Sequence, residues 1–550
     1  MEDPIAFAAS SSPDTMYLHE ALKAPDREQF IKAMVEEVQA HEGKEHWELV
    51  PKSDVPDNTL ILPAVWSMKR KRRINTREVY KWKARLNVHG GKQIKNVHYW
   101  ETYSPVVKWS SIRLFLTLAA IKGWRTRQVD FVLAYPQADI ETTLYMEIPR
   151  GFEFDGSRKT HCLRLKKNLY GQKQAGRVWN KHLHKGLIKM NFKQSSIDEC
   201  VYFRDNTIFL CYVDDTILID PSDENIDKVI SEFETLEYGV SDEGQIDDYL
   251  GVKIQRQDNG SIKMTQPHLI DQILEDLNLL NTTAKYKTKT ADTPAPSTVT
   301  LERDPDGQPH NKQWSYRSVI GKLNFLEKSS RPDLAYAVHN CARFLTDPKA
   351  SHSQAVKRIG RYLLGTKDQG LIMTPDPSKS VEVYADADFS GLFNPETALY
   401  DPATAKSRTG YIVTYMGCPI IWASKLQTET ALSTTEAEYG ACSEALQHVI
   451  PLMQLLEETR VFGIQVSEPK AKILCKLFCD NSGACELIRL PKLRPRTKHI
   501  NTKLHHFREH VARGLISVQQ VLTTEQLGDI ATKALPFPLF SKFRKIILGW

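Results

Sequence analysis

A chain of 550 residues exceeds what one hydrophobic core supports, so several domains are expected. Hydrophobic residues at 41% and charged residues at 25% exclude a disordered or fibrous chain, and a net charge of +6 says little by itself. Nine scattered cysteines form no disulfide framework, the close pair Cys475 and Cys479 lacks a second pair for a zinc site, and no apolar run reaches the ~20 residues of a membrane helix. The N-terminus MEDPIAFAASSSPD has no basic-then-apolar leader pattern, so the expectation is a soluble intracellular protein with reduced thiols.

Taken in chain order, residues 16–45 read as helical, with Asp26 as a cap. Basic patches follow at KRKRR (69–73), KWKAR (81–85) and LRLKK (163–167), with a later one at LPKLRPRTKH (490–499). Interleaved with Tyr and Trp, such patches suit a phosphate backbone, although any one of them is also an ordinary solvated face. SSIRLFLTLAAIKGW (110–124) predicts a capped helix, while RQVDFVLAY (127–135) and TIFLCYVDDTILID (207–220) are strand-like. HLIDQILEDLNLL (268–280) predicts an amphipathic helix with its apolar face at 269, 270, 273, 274 and 277. Residues 281–313, rich in Thr, Pro, Ala and Lys, read as linker; a helical block is expected at about 315–366. Strand–helix alternation restarts near 380 and runs to about 535. Two α/β units joined by a helical spacer is the simplest reading.

Asp214 and Asp215 stand between FLCYV and TILI, flanks apolar at nearly every position. An isolated Asp-Asp pair is usually a polar turn. Here both sheet faces look covered, and a relaxed two-residue turn would prefer Asn-Gly or Asp-Gly. Two adjacent, partly buried carboxylates are costly without a compensating cation. Asp130, at the end of another apolar segment, is a third strand-end acid in the same unit. Hard oxygen ligands of this kind favour Mg²⁺ together with substrate phosphates.

These stretches resemble the reverse transcriptases of copia-type long-terminal-repeat retrotransposons. The resemblance covers about residues 14–545 and rests on YKWKARLNVHGGKQ (80–93), ETYSPVVKWSSIRLFLTLAA (101–120), QVDFVLAYPQADIETTLYMEIPRGF (128–152), LKKNLYGQKQAGRVW (165–179) and CYVDD (211–215). YLGVKI (249–254) looks like the element that grips the primer end. The resemblance implies an α/β multidomain chain: a right-hand polymerase with fingers, ferredoxin-like palm and thumb, a helical connection, and a C-terminal ribonuclease H-like α/β domain. The implied boundaries are an N-terminal helical extension at 1–45, fingers and palm at 46–255, thumb at 256–290, linker and connection at 291–375 and ribonuclease H at 376–550.

By position, the resemblance makes Asp130, Asp214 and Asp215 ligands of two Mg²⁺ ions, or of Mn²⁺ in their place. Tyr135 would exclude a 2′-hydroxyl, Lys83 and Arg85 would contact nucleotide phosphates, and Tyr170, Gly171 and Lys173 would line the nucleotide pocket. For Tyr135 a half-buried strand tyrosine, and for the basic residues plain surface charge, are the bland alternatives. The chain departs from the family pattern in FVLAY after Asp130 and in Gly176, where proline is usual.

A second ordered set of acids resembles the ribonuclease H domain of the same elements, with SKLQTETALSTTEAEY (424–439) and RPRTKHINTKLHHF (494–507) as neighbours. It implies Asp386 rather than Asp388, Glu438 rather than Glu436, then Asp480 and Asp529 as ligands of a further two metal ions. Taken singly each is a cap, a turn or a surface acid, and Asp480 is a natural N-cap. No histidine precedes Asp529 closely; His499, His505, His506 and His510 are read as packing or phosphate contacts.

The implied function is DNA synthesis from dNTPs on RNA or DNA templates with a DNA primer, plus cleavage of the RNA strand of RNA–DNA hybrids. Capsid and integrase products of the element are further candidate partners, with no membrane involved. The cytoplasm, virus-like particles or the nucleus would be the setting. The competing readings are a domesticated nucleic-acid binder without catalysis and a polymerase whose ribonuclease half is inert.

Overall fold

The computed structural model describes residues 14–72, 78–152, 157–280, 288–396, 401–466, 472–490 and 505–550. His499, and all of the 490–499 basic stretch but Leu490, lie outside the described residues, as do 281–287 of the expected linker.

The N-terminal helix is interrupted. Leu18–Ala21 and Arg27–Glu42 are separate helices, because Pro25 between them cannot continue the first. Asp26 does not cap the second through its side chain. Instead it takes the Arg70 guanidinium in a two-pronged ion pair at 2.6 and 2.7 Å and also accepts from the Trp82 indole. The Arg70 bond holds its pKa well below the usual carboxylate range. The ion pair and the indole bond lock the helix onto the antiparallel pair Ala64–Arg72 and Val79–Val88. These elements share a hydrophobic cluster of their own, centred on Phe30, Trp66, Leu86 and Leu163.

The central sheet has six strands in the order Val240–Gln245, Arg125–Phe131, Asp215–Asp220, Thr207–Tyr212, Val201–Arg204 and Lys193–Gln194, with every adjacent pair antiparallel. Val, Ile, Leu and Phe fill its middle strands and bury them. The strand expected over 127–135 ends at Phe131. Leu133 adopts a left-handed φ of 52° and turns the chain into a short helix, Ala134–Gln137, which carries Tyr135.

Past the central sheet, Asp248–Tyr249, Val252–Arg256 and Ile262–Thr265 form a second small sheet, completed by Leu371–Met373 about a hundred residues later. Between them the helices Pro267–Asp276, Tyr316–Ser330, Ala335–Ala342 and Ala350–Gly365 pack on one another. Residues 288–313 carry no helix or strand, yet they are tied down: Ala291 N–H donates to Arg361 O and the Arg358 guanidinium to Thr293 Oγ1.

The last unit is a five-stranded sheet in the order Cys418–Leu426, Arg408–Tyr415, Val381–Asp388, Cys475–Cys479, Ile516–Gln520. The first three strands are antiparallel and the last two are added in parallel. The long helix Thr434–Val461 lies against it.

The two α/β units are not merely linked by a spacer. One continuous core runs from the central sheet through the helical block into the last sheet. Arg113, on the Trp109–Lys122 helix, sits at the junction and is buried. It donates to the carbonyls of Ile420 (2.8 Å), Lys328 (3.0 Å) and Ser329 (3.1 Å) and lies over the Trp422 ring at 4.1 Å. Burial pulls its pKa down to about 9. Its fixed donors therefore need all three carbonyls, which belong to two other elements, the Tyr316–Ser330 helix and the Cys418–Leu426 strand.

Candidate active sites

The Thr207–Tyr212 and Asp215–Asp220 strands leave Val213 and Asp214 as a two-residue turn, with Tyr212 paired to Asp215. Val213 takes a φ of 61°, a conformation that a β-branched side chain resists. It is held there from outside the turn. The Trp179 indole N–H donates to Val213 O at 2.7 Å, and Cys211 Sγ approaches the same oxygen at 3.4 Å. Strain held by surrounding contacts is a feature of functional turns.

Asp215 stands directly opposite Asp130 across the Arg125–Phe131 strand. Phe131 N–H donates to Asp214 O at 3.2 Å, so the third acid hangs at the same strand ends. Like charges directly opposite on adjacent strands repel. Burial, with Asp214 and Asp130 beside it, pushes Asp215 up to about 6. Asp130 is raised as well, by burial and by Asp214, with Lys83 pulling the other way. The Tyr249 hydroxyl donates to Asp215 O at 3.2 Å, which brings the 249–254 segment beneath the hairpin.

Lys83 lies on the neighbouring Val79–Val88 strand and is driven down to about 8 by burial, then by Arg85 and Lys71. The Arg85 guanidinium lies over the Tyr170 ring at 3.7 Å, and Tyr170 and Tyr135 have ring centroids 4.8 Å apart. Gly171 has a φ of 86°, and a Cβ there would fall 2.2 Å from Val88 O, so only glycine allows this close approach. Lys173 N–H donates to Gln93 Oε1 at 2.7 Å. Arg85, Tyr170 and Tyr135 thus stack into one group near Asp214, and Gly171 packs against the Val79–Val88 strand beside them. Gly176 is a mild departure: a Cβ there would make ordinary contacts with Ser104 and Tyr135 at 3.5–3.6 Å.

In the last unit four elements converge. Asp386 comes from the Val381–Asp388 strand, Glu438 from the long helix, Asp480 follows the Cys475–Cys479 strand, and Asp529 opens a short helix at 529–532. Asp386, Glu438 and Asp529 are buried and Asp480 is half-buried. Burial, with Asp386 and Asp480 facing it, pushes Glu438 up to about 10; burial and Asp386 push Asp529 up to about 8. Ligand atoms of Glu438, Cys479 and Asp480 lie mutually within 4.8 Å, which no other such trio among the described residues does. Of the alternatives, Glu436 turns back to accept from Leu432 N–H at 2.8 Å, whereas Asp388 stays beside the cluster, among Lys533, Asp386 and Arg408.

The alternative of Asp480 as a helix cap does not hold. The Ser482–Arg489 helix is capped by Asn481, whose side chain accepts from Ala484 N–H at 2.9 Å, and Asp480 accepts instead from the Thr523 hydroxyl at 3.0 Å. His505 hydrogen-bonds to the Tyr439 hydroxyl, a packing role. Sequence reading missed Lys533. Its ammonium lies 2.8 Å from Asp529; burial lowers its pKa, but Asp386, Asp529 and Asp388 prevail and raise it. Its four-residue spacing from Asp529 was the available signal. It also missed Gln526, whose side chain donates to Ala385 O at 2.9 Å, and Thr532, whose hydroxyl donates to Asp386.

Both clusters hold more negative charge than the nearby lysines neutralise, and all their acids are hard oxygen donors. Divalent cations fit that donor set. Among the described residues no helix is long and apolar enough to cross a membrane.

Residues 44–291, which include Asp130 and the Asp214–Asp215 hairpin, match the family described as reverse transcriptase (RNA-dependent DNA polymerase). The retrovirus-related Pol polyprotein of transposon TNT 1-94 from Nicotiana tabacum is 33% identical over 96% of this chain, which spans 38% of that protein. The putative transposon Ty5-1 protein YCL074W of Saccharomyces cerevisiae is 30% identical over its whole length and 58% of this chain. A solved foamy viral protease–reverse transcriptase in complex with double-stranded DNA covers 90% of this chain and 69% of its own, at 12% identity and a TM-score of 0.46. The chain belongs to the reverse transcriptase family of copia-type retrotransposons.

Proposed function

We propose that the chain extends a DNA primer with dNTPs on RNA and DNA templates and cuts the RNA strand of RNA–DNA hybrids at a second site. The observation that carries the reading is Asp130 standing in register opposite Asp215, beside Asp214, on a strained hairpin tip. In this reading the 64–88 strands are fingers, the six-stranded sheet is the palm, the helices from 267 onward are thumb and connection, and the last sheet is the ribonuclease H domain.

Asp130, Asp214 and Asp215 would hold two divalent cations, as would Asp386, Glu438, Asp480 and Asp529, with Mg²⁺ the natural choice and Mn²⁺ a substitute. When bound, such ions lower the pKa of the attacking hydroxyl or water and stabilise charge on the reacting phosphate. The chain's own groups do the positioning. Arg85 and Lys83 set positive charge beside the incoming triphosphate, and the Tyr135 ring would stand where a 2′-hydroxyl would lie. Trp179 fixes the turn that aims Asp214, and Tyr249 ties the primer-side segment to Asp215. Positioning and fixed charge suffice for an in-line phosphoryl transfer. At the second site Lys533 and Thr532 orient the buried acids, and contacts to the 2′-hydroxyl would select RNA. Capsid and integrase products of the same element are the natural partners, in cytoplasmic particles or the nucleus.

Primer extension on poly(rA)/oligo(dT) and cleavage of a labelled hybrid, each with Mg²⁺, test the two halves separately. Binding of both substrates without turnover of either would leave a nucleic-acid binder. Extension without cleavage would leave a polymerase alone.

A further inference from the structure

Cys479 ends the strand that delivers Asp480, and its thiol lies against the second carboxylate cluster. Cys479 Sγ donates to Glu438 Oε2 at 3.9 Å and also approaches Asn481 O at 3.8 Å. The thiol is fully buried, whereas Asp480 is half-buried, so solvent reaches the group from the Asp480 side. One ligand atom each from Glu438, Cys479 and Asp480 lies within 4.8 Å of the others.

Two more thiols stand behind it. Cys442, one helical turn beyond Glu438 on the Thr434–Val461 helix, and Cys485, on the Ser482–Arg489 helix, are both hydrogen-bond partners of the Cys479 thiol. Cys485 Sγ also reaches Cys479 O at 3.7 Å, and both residues are buried. Sulfur has no part in an oxygen-only Mg²⁺ site. Thiolate ligands instead select softer ions such as Zn²⁺ and its congener Cd²⁺. The first cluster lacks this feature. Cys211 directs its thiol to Val213 O at 3.4 Å, and no cysteine joins those acids in such a trio among the described residues.

We propose that Glu438, Cys479 and Asp480 form a site for a thiophilic divalent ion, Zn²⁺ or Cd²⁺, which displaces the hard ion and arrests the second site. Metal–sulfur and metal–oxygen bonds of about 2.3 and 2.0–2.2 Å put tetrahedral ligand atoms ~3.5 Å apart, so the trio closes by little more than ~1 Å. Rotation of the half-buried Asp480 side chain supplies that movement. On binding, the metal–sulfur bond forms, the S–H bond breaks and the proton leaves to solvent. The thiolate left on Cys479 accepts from the Cys442 and Cys485 thiols, an outer shell that steadies its charge. Mg²⁺ uses the same carboxylates but gains nothing from the sulfur, so a little thiophilic ion outcompetes a large excess of Mg²⁺. That the ion stops hybrid cleavage rests on the ribonuclease reading; that it binds through Cys479 does not.

The test titrates Cd²⁺ into the full chain, reduced with a phosphine and held in a large excess of Mg²⁺. The ultraviolet cadmium–thiolate charge-transfer band is read alongside hybrid cleavage and primer extension. A band saturating at one equivalent is expected, with cleavage falling in step and extension unaffected at that concentration. Cys479→Ser and Cys479→Ala should weaken the response to Cd²⁺ at least ~100-fold, and Cys442→Ala or Cys485→Ala about tenfold. No band in the wild-type chain, or a band that survives in a folded Cys479 variant, overturns the site, and so does equal inhibition of extension. Serine keeps nearly the volume of cysteine, and circular dichroism checks that each variant folds. A Cys479-dependent band in a chain that never cleaves a hybrid keeps the metal site and discards the ribonuclease reading; cleavage without the band does the reverse.

Discussion

The two carboxylate clusters are built in opposite ways. The first is local. Two of its acids lie on one hairpin and the third on the strand paired with it, so strand register alone brings them together. Its members are half-buried, and Asp215 rises only to about 6. The second draws one acid from each of four elements separated by up to 143 residues, counted from Asp386 to Asp529. It is deeper, and Glu438 and Asp529 rise to about 10 and 8. Depth and like charge together mean that the second site needs its cation, or a proton in its place, far more than the first.

The widest separation between the two should come from single carboxamides. Asp214→Asn should cut primer extension roughly 10²- to 10³-fold or more and leave hybrid cleavage intact, and Asp480→Asn should do the reverse. Loss of both activities in either variant would show that the continuous core couples the sites.

The next effect is on pH. A cation can bind only after raised carboxyls lose their protons, so the metal requirement for cleavage should climb steeply as pH falls from 8 to 6. That for extension should climb mainly below pH 6. Titrating Mg²⁺ in both assays across this range checks the order; parallel curves would contradict it.

Stability has the matching sign. An acid whose folded pKa is raised costs nothing below its unfolded pKa and destabilises the fold progressively as pH rises through the folded value. Without divalent cations the melting temperature should therefore fall from pH 5 to pH 9. Glu438→Gln should raise it at pH 8, with no gain at pH 4. A melting temperature lowered by Glu438→Gln at pH 8 would place the charge balance elsewhere.

Smaller effects sharpen the first site. Tyr135→Val should relax discrimination against ribonucleotides at least tenfold while changing dNTP incorporation far less, measured as the ratio of kcat/KM values. Arg85→Lys keeps the charge but loses the planar contact with Tyr170, about 0.5–1 kcal/mol, which predicts a two- to five-fold rise in the dNTP KM.

The hairpin was legible in the sequence because its signal is contiguous: an apolar run interrupted by two acids reads directly as a strand, a turn and a charge. The Arg27–Glu42 helix and the helical block were legible for the same reason. Asp26 was misread because a helix-start pattern cannot show that Arg70, 44 positions on, will compete for the carboxylate. The bland alternative for Asp480, a helix cap, fails for a similar reason: its neighbour Asn481 has an equal claim, and only the backbone path decides between them.

By itself the sequence determined the carboxylate inventory, the period of each element and the family, since these depend on residue identity over short spans. Only the tertiary structure decided that Asp130 faces Asp215, that Arg113 fuses two expected units into one core, that Lys533 balances the buried acids and that the Cys479 thiol meets Glu438. Each of those depends on chain segments far apart in sequence meeting in space, and burial, register and charge pairing exist only once they have met.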